Sequence, residues 1–116
     1  TSVSEDGGRT WAPLELTDLD HPSAGIDTVR LDDGRLILLY NPSTRRRTPL
    51  SLAVSFDDGA TFEDFLLVEA LEDGQRGELS YPSMIVDRDG DLQLTYTWNR
   101  RRIRHATAPG ELIPSR

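Results

Sequence analysis

Cysteine is absent from this 116-residue chain, which removes disulfides, thiolate metal sites and a cysteine nucleophile at once. Lysine is absent too, so all 13 cationic side chains are arginine, set against 20 acidic residues for a net charge of −7. A negative field of that kind disfavours nucleic acid and anionic membranes as partners. No apolar run approaches membrane-spanning length, and no basic-then-apolar segment reads as a leader peptide. The two histidines, His21 and His105, have no third residue at metal-ligand spacing, so neither a metal nor a cofactor is expected. A helical 3.6-residue apolar repeat is missing as well, while seven prolines and nine glycines punctuate nearly every interval. Helical fold classes are thereby excluded. Composition does not decide the compartment.

What remains reads as strands and turns. Ile26 to Leu31 is a β-rich run closed by Asp32-Asp33-Gly34, and Leu36 to Tyr40 follows as a largely buried strand. Leu50 to Ser55 forms another strand, and Thr61 to Glu69 leads away from the turn that follows it. Then the pattern restarts: Ser83 to Val86, the turn Asp87-Arg88-Asp89-Gly90, and the alternating strand Leu92 to Trp98. Aligning Asp33-Gly34 with Asp89-Gly90 pairs Leu36 with Leu92, Leu38 with Leu94 and Tyr40 with Tyr96. A second repetition runs through the chain. Ser4-Glu5-Asp6-Gly7-Gly8-Arg9-Thr10-Trp11 returns as Ser55-Phe56-Asp57-Asp58-Gly59-Ala60-Thr61-Phe62, with the skeleton S-x-D-x-G-x-T-aromatic in both. The chemistry of that skeleton is local: Asp6 and Asp57 accept hydrogen bonds from their own turns, Gly8 and Gly59 take positive φ, and Trp11 and Phe62 pack beneath. Ser4, Thr10, Ser55 and Thr61 complete two structural staples.

Repeated in register, these staples resemble the Asp-box, or bacterial neuraminidase repeat, of sialidase-type β-propellers. The resemblance implies an all-β fold: an incomplete β-propeller of about two and a half four-stranded antiparallel blades, from a six-bladed parent. Residues 1–22 would be the tail of one blade, 23–72 a complete blade and 73–116 the last blade, mostly complete. Such a piece cannot close a ring, so the remaining blades are expected upstream or through self-association of the fragment.

Two further segments are similar to sialidase strands. Arg47 followed by Thr48-Pro49-Leu50-Ser51-Leu52-Ala53-Val54 is similar to the segment carrying the third arginine of the family's carboxylate-binding triad. Leu79-Ser80-Tyr81-Pro82-Ser83-Met84-Ile85, followed by the Asp89-Gly90 turn, is similar to the strand pair carrying its nucleophilic tyrosine. The resemblance thus implies a retaining exo-sialidase-like glycoside hydrolase, acting on a carbohydrate substrate with a carboxylate. Arg47 would bind that carboxylate through a bidentate fork, and Tyr81 would attack the anomeric carbon. A neutral tyrosine avoids the repulsion that an Asp or Glu nucleophile would meet beside the carboxylate. Pro82, following Tyr81, favours an extended backbone there. The family's other two arginines, its acid/base Asp and the Glu partner of the tyrosine would lie upstream of Thr1, so the isolated chain is expected to be inactive. Glu78 is near Tyr81 in sequence but not at that Glu's position.

Each candidate has a plainer reading. Tyr81 also suits a half-buried aromatic at a strand start, Arg47 a solvated loop arginine beside Arg45 and Arg46, and Asp27 a strand-start carboxylate satisfying a turn. The run from Asn99 to His105 would place Arg101, Ile103 and His105 on one strand face and Arg100, Arg102 and Arg104 on the other. That run reads as a solvated edge strand, or as a contact for an acidic substrate. A noncatalytic glycan-binding or scaffold propeller is the alternative function. Pro82 and Pro49, where the family usually has Ser and Asn, also leave open another glycosidase or lyase on the same fold.

Overall fold

Strands form where the sequence runs apolar or alternates, and the Asp-Gly turns reverse the chain between them. The computed structural model describes residues 1–116, with strands β1 (Asp27–Arg30), β2 (Leu36–Tyr40), β3 (Leu50–Ser55), β4 (Glu63–Glu69), β5 (Leu79–Val86), β6 (Leu92–Trp98) and β7 (Arg102–Ala108). A single 3₁₀ turn, Gly110–Leu112, follows. The first four strands make one antiparallel sheet in the order β1-β2-β3-β4, and the last three make another, β5-β6-β7. Neither sheet closes on itself.

The two sheets share one core. Ile37, Leu39, Leu50, Leu52 and Val54 of the first sheet pack against Leu79, Met84, Leu92, Leu94, Tyr96 and Ala108 of the second. Their burial supplies the main driving force for the arrangement, at about 1.5–3 kcal/mol for each large apolar side chain. Polar ties add register. The Asp27 carboxylate accepts from the Met84 N–H across the sheets at 2.7 Å and from the Thr28 N–H at 2.9 Å. Tyr96 donates its hydroxyl to Glu69 at 2.5 Å, and Arg104 pairs with the same carboxylate. Desolvation and that acceptor raise the Tyr96 phenol to about 12.

The opposite faces of the sheets differ in chemistry. Leu38, Tyr40 and Ala53 form a second cluster on the first sheet, covered in part by Leu19 and Phe62. A cleft of about 700 Å³, lined by Val3, Leu19, Ile26, Leu36, Leu38 and Tyr40 among others, remains open on that side. On the second sheet, the positions of Ile37 and Leu39 are taken by Gln93 and Thr95. Gln93 there accepts from Thr107 at 2.9 Å, bonds His105 at 2.8 Å and donates to Asp87 at 2.7 Å.

Residues 1–22 carry no assigned strand, yet their pairing repeats that of β3 with β4. Ala12 N–H donates to Val3 O at 2.8 Å, and Glu15 N–H donates to Thr1 O at 2.7 Å. Fifty-one positions on, Val54 faces Glu63 and Leu52 faces Leu66, with the same extra residue in the second arm. The first staple therefore caps an open hairpin with no inner strands beside it. That accounts for a difference in packing between the staples: Phe62 rests on the Leu38, Tyr40 and Ala53 cluster, whereas Trp11 is 64% exposed.

Two details of the sequence reading change. Tyr81 is not extended: its φ is +50°. A bulge between Ser80 and Ser83 puts Tyr81 and Pro82 together opposite a single residue of β6, and the extra residue turns the chain out of the pleat. The 99–105 run is not one strand either. Asn99 and Arg100 both have positive φ, at +49° and +55°, and form the turn, so β7 begins at Arg102. Ile103 and His105 share the outer face as expected, while Arg102 and Arg104 lie over the Trp98 ring at 4.7 and 4.8 Å.

Candidate functional site

The two staples are nearly superimposable in their bonding. Asp6 accepts from the Thr10 N–H at 2.9 Å and the Thr10 hydroxyl at 2.6 Å, while Ser4 bridges its carboxylate and the Gly8 N–H. Asp57 accepts from Thr61 at the same two distances, with Ser55 bridging to Gly59. Gly8 and Gly59 have φ of +86° and +88°, which only glycine adopts without strain. These donors, the Thr hydroxyl first, lower both carboxyls to about 2. Every oxygen is thus committed to its own turn, leaving structural work for Asp6 and Asp57.

A family comparison adds weight to that geometry. The sequence model of the BNR repeat-like domain matches residues 1–94, which include both staples. The chain belongs to the BNR repeat-like family. This domain type is found in sialidases and other glycoside hydrolases. No match was found among curated proteins, and none among solved structures.

In this BNR repeat-like chain, Arg47 and Tyr81 come together although 34 positions separate them in sequence. The Arg47 guanidinium carbon lies 5.4 Å from the centroid of the Tyr81 ring. The loop between β2 and β3 brings Arg47 there, because its carbonyl accepts the Leu79 N–H at 2.7 Å as β5 begins. Asn41, fully buried at the end of β2, ties the same parts: its amide donates to Pro49 O at 2.8 Å and to Leu79 O at 3.1 Å. The bulge then turns Tyr81 outward, 66% exposed, over Gly25, where an added Cβ would meet the ring at 3.5 Å. Left-handed backbone at an aromatic residue costs on the order of 1–3 kcal/mol and is a feature of sites.

Glu78 organises the cations around Tyr81. Its carboxylate accepts from Arg100 at 2.7 and 3.3 Å and from the Ser80 hydroxyl at 3.1 Å, and it lies 3.7 Å from Arg47. Arg100 first, then Ser80 and Arg47, hold the Glu78 carboxyl below its ordinary range against the opposing effect of burial. Glu78 is bonded to Arg100 and Ser80, and the Tyr81 hydroxyl makes no hydrogen bond to any carboxylate. Asp27, in contrast, spends both oxygens on backbone N–H groups, Thr28 of its own strand and Met84 of β5.

The sequence reading did not single out Asn41, Asn99 or Gly25, and it gave Glu78 no role. The lone Asn after the β2 apolar run was the available signal for Asn41. A second cleft, about 710 Å³, lies between the turns at 31–35 and 87–91. Among its lining carboxylates, Asp91 accepts from the Gly110 N–H at 2.7 Å. No three His, Cys, Asp or Glu side chains group as metal ligands.

Proposed function

We propose that this chain forms part of a sialidase-like glycoside hydrolase, with its sheets as blades of a propeller and residues 1–22 as the tail of a preceding blade. Arg47 takes the carboxylate of a terminal sialic or related acidic sugar, and Tyr81 attacks the anomeric carbon. The observation that carries this reading is the Arg47 guanidinium standing 5.4 Å from the centroid of an exposed Tyr81 ring. A guanidinium binds a carboxylate through two parallel N–H bonds. Arg47 is suited to that, since beyond its place at the Tyr81 ring its side chain makes the 3.7 Å approach to Glu78 and donates no hydrogen bond within the chain. A tyrosine beside it can form a covalent glycosyl intermediate where a carboxylate nucleophile would be repelled.

The reaction also needs a base for the Tyr81 phenol and an acid for the leaving group, and residues 1–116 place neither at Tyr81. The chain by itself is therefore expected to bind an acidic sugar without turning it over. Titration with the methyl glycoside of N-acetylneuraminic acid, followed by NMR, tests this. Arg47→Lys should weaken binding by roughly tenfold, because an ammonium cannot reproduce the fork. Tyr81→Phe should leave binding largely intact while abolishing hydrolysis in any form of the protein that has turnover. Normal turnover by Tyr81→Phe would defeat the catalytic reading. That outcome would put the second reading, a noncatalytic glycan-binding propeller, first.

A further inference from the structure

We propose that Arg100 is the second arm of the acid-binding site, so that a sugar carboxylate is taken between the Arg47 and Arg100 guanidiniums. This rests on the reading of the Tyr81 face as an acidic-sugar site, and it adds a residue outside the 1–94 segment that the family shares.

Three observations converge on Arg100. The first is charge. Two guanidiniums meet one carboxylate at Glu78, whose side chain is only 15% exposed, and this leaves one uncompensated positive charge beside Tyr81 in a chain of net charge −7. The second is the way Arg100 is held. It uses Nε and Nη2 on Glu78 and keeps Nη1 free, with the side chain 77% exposed. A guanidinium anchored along one edge presents the rest of its fork to an incoming anion at little further entropic cost.

The third observation is that the backbone is built to put it there. Asn99 N–H donates to Glu78 O at 2.8 Å, and Glu78 N–H donates back to the Asn99 side chain at 2.9 Å. This reciprocal pair clamps the β6–β7 turn to the start of β5. Two successive left-handed residues, Asn99 and Arg100, then return the Arg100 side chain to the Glu78 carboxylate. Gly77 makes the approach possible, because a Cβ there would lie 2.0 Å from the Asn99 side-chain oxygen.

The test is an NMR titration of the full 116-residue chain, followed at the arginine Nε–H resonances, with the methyl glycoside of N-acetylneuraminic acid and with its uncharged methyl ester. Arg100→Ala is expected to weaken binding of the acid by roughly tenfold, as loss of a charge-assisted hydrogen bond does, and to leave the ester unchanged. Arg100→Lys should recover only part of the loss. Arg88→Ala, in the turn at the far end of the sheets, should stay within about twofold and so controls for net charge. If Arg47→Ala weakens acid binding and Arg100→Ala does not, the second arm is refuted and the proposed function stands. If neither substitution matters, or the chain does not distinguish acid from ester, both are overturned.

Discussion

Asn41→Ala should loosen the β2–β3 loop from β5 and destabilise the chain by about 2–4 kcal/mol. Asn41 is fully buried, and its amide is a donor to Pro49 O at 2.8 Å and Leu79 O at 3.1 Å. Alanine strands both carbonyls, and an unpaired buried group costs about 1–3 kcal/mol. Against that stands some relief, since the Asn41 Oδ1 is itself buried without a partner. For a domain of this size the net loss corresponds to a fall in Tm of roughly 8–16 °C. Urea denaturation followed by circular dichroism, with the slope compared with that of the wild type, measures it. Asn41→Asp sharpens the test. A carboxylate facing two carbonyl oxygens has a folded pKa above its unfolded value of about 3.9. Its deficit relative to wild type should therefore be largest at pH 7 and shrink as pH falls towards 4 and the group protonates. A loss below about 0.5 kcal/mol for Asn41→Ala, or an Asn41→Asp deficit independent of pH, would refute the assignment of Asn41 as the tie beneath the site.

Two more outcomes follow from the same structure. The staple carboxyls, held at about 2 in the fold, contribute stability that is complete above the unfolded pKa near 3.8 and is lost as pH falls towards 2. Tm should drop across that window, Asp6→Asn and Asp57→Asn should each flatten the drop, and a Tm constant from pH 5 to 2.5 would contradict it. Gly77→Ala must displace the Asn99 amide from a 2.0 Å approach and strain a residue at φ +151°. A cost of about 1–3 kcal/mol is expected, together with a shift of the Arg100 Nε–H resonance; an unmoved resonance would show that the Asn99 clamp does not position Arg100.

The parts legible in the sequence are those whose chemistry is local. β2, β3 and β6 have the bounds read from their patterns, because β2 and β3 are apolar and buried on both faces while β6 alternates between a buried and a polar face. The staples are legible for the same reason, with every bond closing within seven residues of Ser4 or Ser55. The surroundings of Tyr81 were hidden because they are tertiary. Glu78 meets Arg100 across 22 positions and Asn41 meets Leu79 across 38. Backbone preference even pointed the wrong way at Tyr81, where the rule for residues before proline gives an extended chain and the bulge imposes a left-handed one. The turn at Asn99-Arg100 was missed similarly: neither residue is glycine, and the strand-like run of arginines around it gave no reason to break there.

The unlike outer faces of the two sheets bear on how copies of this chain meet in solution. A unit that buries aliphatic surface against its successor is at risk of endless head-to-tail addition, since a heterologous contact that fails to close propagates into a fibre. Here the incoming copy would bring Gln93 and His105 against the cleft over Leu38 and Tyr40, stripping water from hydrogen-bonded polar groups with nothing to replace it. Polymerisation through those faces is thereby disfavoured.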